Sequence, residues 1–246
     1  GVFRNFYGIK DSLKLRNTEK FIVSQKLSSA FDVKGDFDLN HLKEIHKTIF
    51  GDLYSWAGEP REIHMANKNG EDRFISPVNF EKESLAIFNG IKQNPVLNNE
   101  VEVTKNEFAD HLAEAYLSIN RLHYFREGNG RAQGVFIDQL AQKNGYQLNL
   151  TETINNKSLK KEFYSYFNDE SKDKIKDGIK SFFSEKLQPL STEKKIDLKA
   201  LSKTNNAEMK KEVKQQFQQV LSKVQKNMKN EKLNAVKREN KNKQSH

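Results

Sequence analysis

Apolar residues recur at helical spacing on both sides of one short segment rich in glycine and charge, which dictates two packed helices meeting at a turn. Upstream, Phe108, Leu112, Ala115, Tyr116 and Ile119 form one apolar face that runs directly to His123. Downstream, Val135, Phe136, Leu140 and Ala141 form another, over roughly residues 130–144, and Asn144-Gly145 supplies a C-terminal stop. Between them stands His123-Tyr124-Phe125-Arg126-Glu127-Gly128-Asn129-Gly130-Arg131.

The rest of the chain extends the helical pattern. Residues 12–50 read as helices, with Leu39, Leu42, Ile45, Ile49 and Phe50 on one stripe and Asp38 or Asn40 as the cap. Gly51, Gly58 and Pro60 interrupt that pattern around Trp56, which reads as an anchor. Residues 61–77 differ, because alternation on either side of Asn69-Gly70 is a strong hairpin signal. Residues 78–121 read as helical again, and residues 155–187 as one or two further helices carrying Phe163, Phe167, Phe182 and Phe183. The expected architecture is an all-α bundle with a small β-hairpin flap.

Pro189 and the polar run after it mark a boundary between a domain over residues 1–190 and a tail over residues 191–246. The tail holds 15 of the 42 Lys and Arg but 6 of the 33 Asp and Glu, so the whole net charge of +9 lies there and the body is balanced. That excess suits an anionic surface, whether nucleic acid, membrane or acidic protein. With no Cys, disulfides, thiolate nucleophiles and cysteine metal sites are excluded, in keeping with a reducing compartment. No apolar run approaches the ~18 residues of a membrane span, and no signal-peptide pattern is present.

The segment between the two helices carries the chemistry. Gly128-Asn129-Gly130, opening a helix, builds a turn whose N–H groups converge on an anion, and phosphate fits such a loop. Arg131 adds a positive fork, and Glu127 adds an oxygen that can hold Mg²⁺ against phosphate oxygens. His123, just upstream, has an imidazole whose ordinary pKa of about 6.5 lets it accept a hydroxyl proton. A strand edge over residues 62–65 and 72–76 of the hairpin could pair with an extended target segment.

His-x-Phe-x-Glu-Gly-Asn-Gly-Arg at residues 123–131 resembles the signature of Fic (filamentation induced by cAMP) domains. Gly51-Asp52-Leu53-Tyr54-Ser55-Trp56-Ala57-Gly58 and Phe74-Ile75-Ser76-Pro77 support the resemblance, which covers about residues 7–150. Tyr7-Gly8-Ile9-Lys10-Asp11 is similar to the opening of the bacterial toxin and type IV secretion effector branch. The resemblance implies a protein adenylyltransferase moving AMP from ATP to a Ser, Thr or Tyr hydroxyl of a target protein. His123 would be the general base and Glu127 the Mg²⁺ ligand. Gly128, Asn129, Gly130 and Arg131 would form the anion hole, with Phe125 as a buried anchor. The flap residues Ile63, His64, Met65, Arg73, Phe74 and Ile75 would dock the target. The resemblance also implies action in the bacterial cytoplasm, or in a host cell reached without a signal peptide.

Three departures qualify that expectation. Gly134 stands where the family has a second arginine that contacts the distal phosphates of ATP, so ATP binding should weaken or the donor should differ. Tyr124 replaces a proline, which should relax the loop. No segment reads as the family's inhibitory Ser/Thr-x-x-x-Glu-Gly/Asn helix: Ser55 with Glu59, Ser158 with Glu162, Ser181 with Glu185 and Thr204 with Glu208 are followed by Pro60, Phe163, Lys186 and Met209. An antitoxin, where one acts, would then be a separate chain. The competing readings are a catalytically impaired binding module, and phosphoryl transfer, which a related branch performs with Lys in place of Gly130.

Overall fold

The computed structural model describes residues 2–65, 74–169 and 171–190, and all structural statements concern these. Eight helices make up this part: α1 (Ser12–Phe31), α2 (Leu39–Phe50), α3 (Phe80–Gln93), α4 (Lys105–Leu122), α5 (Asn129–Lys143), α6 (Leu150–Asn155), α7 (Lys157–Ser165) and α8 (Lys172–Lys186). The tail expected from residue 191 onwards lies outside the described residues.

Side chains set the helix starts. Asp11, Asp38, Asn156 and Ser171 each accept from first-turn N–H groups of the helix that follows. Thr104 and Glu107 close a reciprocal capping box at the start of α4. Residues 78–121, expected to be helical, form two helices, α3 and α4. Pro95 interrupts, and the Asn94 side chain accepts from the N–H groups of Val96 and Leu97, folding a turn between α3 and α4.

α4 and α5 form the centre. α4 packs against α8, α5 and α3, while α5 packs against α2 and α6. Phe108, Leu112, Tyr116 and Ile119 of α4 and Val135, Phe136 and Leu140 of α5 are buried, as their spacing requires. The fully buried rings of Phe50, Phe125, Phe163 and Phe183 fill the spaces between helices.

Strand structure is minimal and lies away from the expected flap. β1 (Tyr146–Gln147) pairs antiparallel with β2 (Gln188–Pro189), tying the end of the fold back to the chain after α5. The turn of the expected hairpin, residues 66–73 with Arg73, lies outside the described residues. Its described flanks, residues 61–65 and 74–76, carry no strand pairing. No described helix is long and apolar enough to cross a membrane.

Candidate active site

His123 is the C-terminal cap of α4, in the left-handed region at φ 43°, and its N–H donates to the carbonyl of Ile119 at 3.2 Å. A non-glycine residue in that region costs about a kcal/mol or more, so surrounding contacts must hold it. Arg61 does so. This buried arginine donates from Nε to the His123 carbonyl at 2.7 Å and from its terminal nitrogens to the carbonyls of Ile63 and Ile75. Its own N–H donates to the Tyr124 carbonyl at 2.9 Å. The imidazole of His123 stacks on Phe74, with ring centres 3.7 Å apart and planes 13° from parallel.

The segment after His123 folds over a buried floor. Phe125 is fully buried, as expected of an anchor, and stacks on His46 at 3.8 Å. The Asn129 side chain accepts from the Phe125 N–H at 2.9 Å and donates to the Phe125 carbonyl at 2.6 Å, so it braces the loop instead of reaching outward. Tyr124 is packed against Phe80 and Phe125 with its carbonyl bonded to Arg61; the loop is tied down there, not relaxed as the absence of proline suggested.

Gly128 opens α5 at φ 79°, and a Cβ there would run into the ring of Phe50. Only glycine fits. At the start of α5 the Gly128 N–H donates to the Glu127 side chain at 3.0 Å and the Arg131 N–H to the Gly128 carbonyl at 3.1 Å, while helix geometry leaves the N–H groups of Asn129 and Gly130 without intrahelical partners. A cleft of about 300 Å³ there is lined by His123, Glu127, Gly128, Asn129, Gly130 and Arg131. His123 and Gly130 also line a second cleft of about 860 Å³, whose other walls include Leu117, Phe167 and Ile175. An imidazole therefore stands where the start of α5 meets a largely apolar cleft.

Arg131 lies over the Phe50 ring at 4.6 Å and donates to Glu19 at 2.7 Å and to Glu127 at 3.3 Å. The Arg131 and Glu19 side chains are 18% and 17% exposed, whereas Glu127 is 47% exposed and open to the cleft. Glu19 also accepts from the Tyr54 hydroxyl at 2.6 Å. Burial, together with that hydrogen bond, pushes the Tyr54 phenol far above its ordinary range, so it stays a donor.

The flap residues divide. Met65 lines both clefts, Phe74 stacks on His123, and Ile63 is exposed. His64 lies 3.4 Å from the Ser76 hydroxyl. Ile75 is buried, its N–H donating to the Arg121 carbonyl and its carbonyl accepting from Arg61, so it offers no open edge to a target.

Five further residues shape the site without having been singled out for it: Glu19, His46, Arg61, Lys160 and Tyr164. His46 was legible as a polar residue inside an apolar stripe. Gly134 has a steric role as well. A Cβ there would sit 3.1 Å from Ile154 Cδ1 and 3.2 Å from the Thr151 Cα, so α6 closes on the position where a second arginine was expected.

The model of the Fic/DOC family matches residues 36–141. The chain is 33% identical over 170 residues to protein adenylyltransferase VbhT of Bartonella schoenbuchensis, covering 68% of this chain and 34% of that protein. It is 33% identical over 147 residues to the Sinorhizobium fredii protein named "Probable protein adenylyltransferase y4lH", covering 60% of this chain and 74% of that one. It thus spans about a third of the first relative and three quarters of the second. Among solved structures, BepC, a VirB-translocated effector of Bartonella tribocorum determined with bound AMPPNP, superposes with a TM-score of 0.60. That likeness covers 77% of this chain and 94% of BepC at 23% identity, and it concerns the fold.

Proposed function

We propose that this chain, which belongs to the Fic/DOC family, transfers AMP from ATP to a hydroxyl side chain of another protein. The observation that carries the reading is the meeting of His123 and the start of α5 on one cleft, with an apolar chamber sharing the same two walls. A triphosphate placed on the α5 N-terminus directs its nucleoside into that chamber, where Leu117, Phe167 and Ile175 offer apolar surface to a base. Relatives named protein adenylyltransferases, and an ATP analogue bound to BepC, support the assignment.

In this mechanism a ring nitrogen of His123 takes the proton of the incoming hydroxyl. The hydroxyl oxygen forms a bond to the α-phosphorus as the bond from that phosphorus to the bridging oxygen breaks, and pyrophosphate leaves with the electron pair. The N–H groups at the start of α5 meet charge developing on the α-phosphate, so positioning and electrostatics supply most of the acceleration. Asn129 contributes by holding the loop and Phe125 by anchoring it. Mg²⁺, when bound, would supply positive charge against the phosphates. Glu127 would hold that ion: its half-exposed carboxylate lines the cleft, with Oε1 accepting from the Gly128 N–H at 3.0 Å and from Arg131 at 3.3 Å, and Mg²⁺ commonly takes one or two protein carboxylates.

Gly130 favours AMP transfer over phosphoryl transfer. The branch that transfers a phosphoryl group carries lysine there, and a Cβ at Gly130 would lie 2.6 Å from the Tyr164 hydroxyl, which would have to swing aside to admit one. Ile63, Met65 and Phe74 are the described flap residues best placed to meet a target. The basic tail serves as a separate partner-binding segment, and the place of action is the bacterial cytoplasm or a host cell, as translocation of BepC suggests.

The test uses α-labelled and γ-labelled ATP with Mg²⁺ and a lysate, beside His123→Ala. Protein label from the α-phosphate, at least ~100-fold lower in the variant, is expected. Label from the γ-phosphate alone would replace this reading with phosphorylation, and label from neither would leave a binding module.

A further inference from the structure

Resting on the transfer reading above, we infer that Lys160 of α7 binds the terminal phosphates of the nucleotide. Besides His123, the charged side chains lining the smaller cleft are Arg126, Glu127, Arg131 and Lys160. Arg131 is already committed, with Glu19 at 2.7 Å, Glu127 at 3.3 Å and the Phe50 ring beneath it. Arg126 is drawn to the N-terminal segment, its guanidinium 5.1 Å from the centre of the Phe3 ring. With Glu19 counted behind Arg131, these two arginines and two carboxylates cancel. Lys160 therefore sets the positive sign that a magnesium triphosphate, still net negative, requires.

The scaffold brings that exposed side chain to the cleft. α7 is capped by the Asn156 side chain, which accepts from Ser158 and Leu159, and is anchored by the fully buried Phe163 packed on Tyr116. Lys160 and Tyr164 stand four residues apart, on one face, with the ammonium 5.6 Å from the Tyr164 ring centre. The Tyr164 hydroxyl reaches to within 2.6 Å of where a Gly130 Cβ would be, so this face of α7 roofs the first turn of α5. No carboxylate among the described residues pairs with Lys160, and no cation can come from Gly134, where α6 covers the position. The flexible lysine stem suits a terminal phosphate, which a point charge can follow. α7 lies beyond the matched residues 36–141, so nothing in the family signature points to it.

Calorimetric titration of the full chain with ATP and with AMP, in Mg²⁺, tests this. Lys160→Ala should weaken ATP binding about 10-fold, as loss of one charge-assisted contact does, and leave AMP binding within about 2-fold. Lys160→Arg should recover most of the ATP affinity. Unchanged ATP binding in Lys160→Ala, or an equal loss for ATP and AMP, overturns the inference. A wild-type chain that binds ATP yet transfers no label removes the transfer reading while the ATP-to-AMP ratio still decides Lys160. A wild-type chain that binds neither nucleotide overturns both.

Discussion

His46 sits beneath the reactive loop as a neutral imidazole with both nitrogens committed. Its Nδ1 accepts from the Gly58 N–H at 2.9 Å, so the proton resides on Nε2, which donates to the Glu127 carbonyl at 2.9 Å. Burial lowers its pKa to about 3, with the Arg131 charge adding to the fall against the opposing Glu127 hydrogen bond. His46→Phe keeps a ring against Phe125 but strands a buried N–H and a buried carbonyl, and should cost about 2–4 kcal/mol. Urea unfolding measures that, and an unchanged midpoint would remove His46 from the support of the loop. Gly128→Ala should be worse for activity than for stability, since its Cβ meets Phe50 and pushes the start of α5 off the cleft. Label transfer at the wild-type level in a folded Gly128→Ala protein would contradict that. At this scale the motif residues were readable because their types and spacing are local. Arg61 and Glu19 were not, because they reach the site across 62 and 112 positions of sequence.

α6 shows why an element can be invisible in sequence and still shape a site. It is a six-residue helix from Leu150 to Asn155, too short for a helical stripe to register. Tertiary contacts make it: the buried Asp138 carboxylate accepts from the N–H groups of Leu150 and Thr151, both at 2.8 Å, and Gly134 leaves room for its backbone. The glycine that looked like a lost phosphate ligand is thus also a packing site. Gly134→Arg should lower stability by about 1–3 kcal/mol through overpacking against Thr151 and Ile154, with Gly134→Ala closer to wild type. Equal melting temperatures for all three would show that α6 does not rest on this position. The same limit explains why the break between α3 and α4 was not located within the helical pattern of 78–121: Asn94 and Asn98 act by folding back on their own turn, an effect that apolar periodicity does not encode. The two strands β1 and β2 were missed because they join residues 146–147 to 188–189 without hairpin signals.

Across the whole molecule, two buried groups oppose each other in the dependence of stability on pH. Neutral His46 has a folded pKa below its unfolded value of 6.5, so its contribution is present above that pH and is lost as pH falls toward about 3. Asp138 runs the other way. Burial raises its pKa from 3.8 to about 6, against the opposing hydrogen bonds from α6, so its contribution is full below 3.8 and is lost as pH rises through about 6. Between those values the two slopes partly cancel in the wild-type chain. Asp138→Asn removes the falling limb, and its stability should then rise with pH more steeply than wild type, by up to about 1.4 kcal/mol per pH unit. Parallel urea-stability profiles would show that Asp138 does not titrate in this window. The larger design is a helical core that leaves the groups proposed to react at one junction, where α4 ends at His123 and α5 begins at Gly128. The most direct measurement on that junction counts pyrophosphate released against AMP attached to target protein in a single turnover. One pyrophosphate for each attached AMP, with both lost together in His123→Ala, is expected; a His123→Ala protein that attaches AMP at the wild-type rate would contradict the assignment of that imidazole as the base.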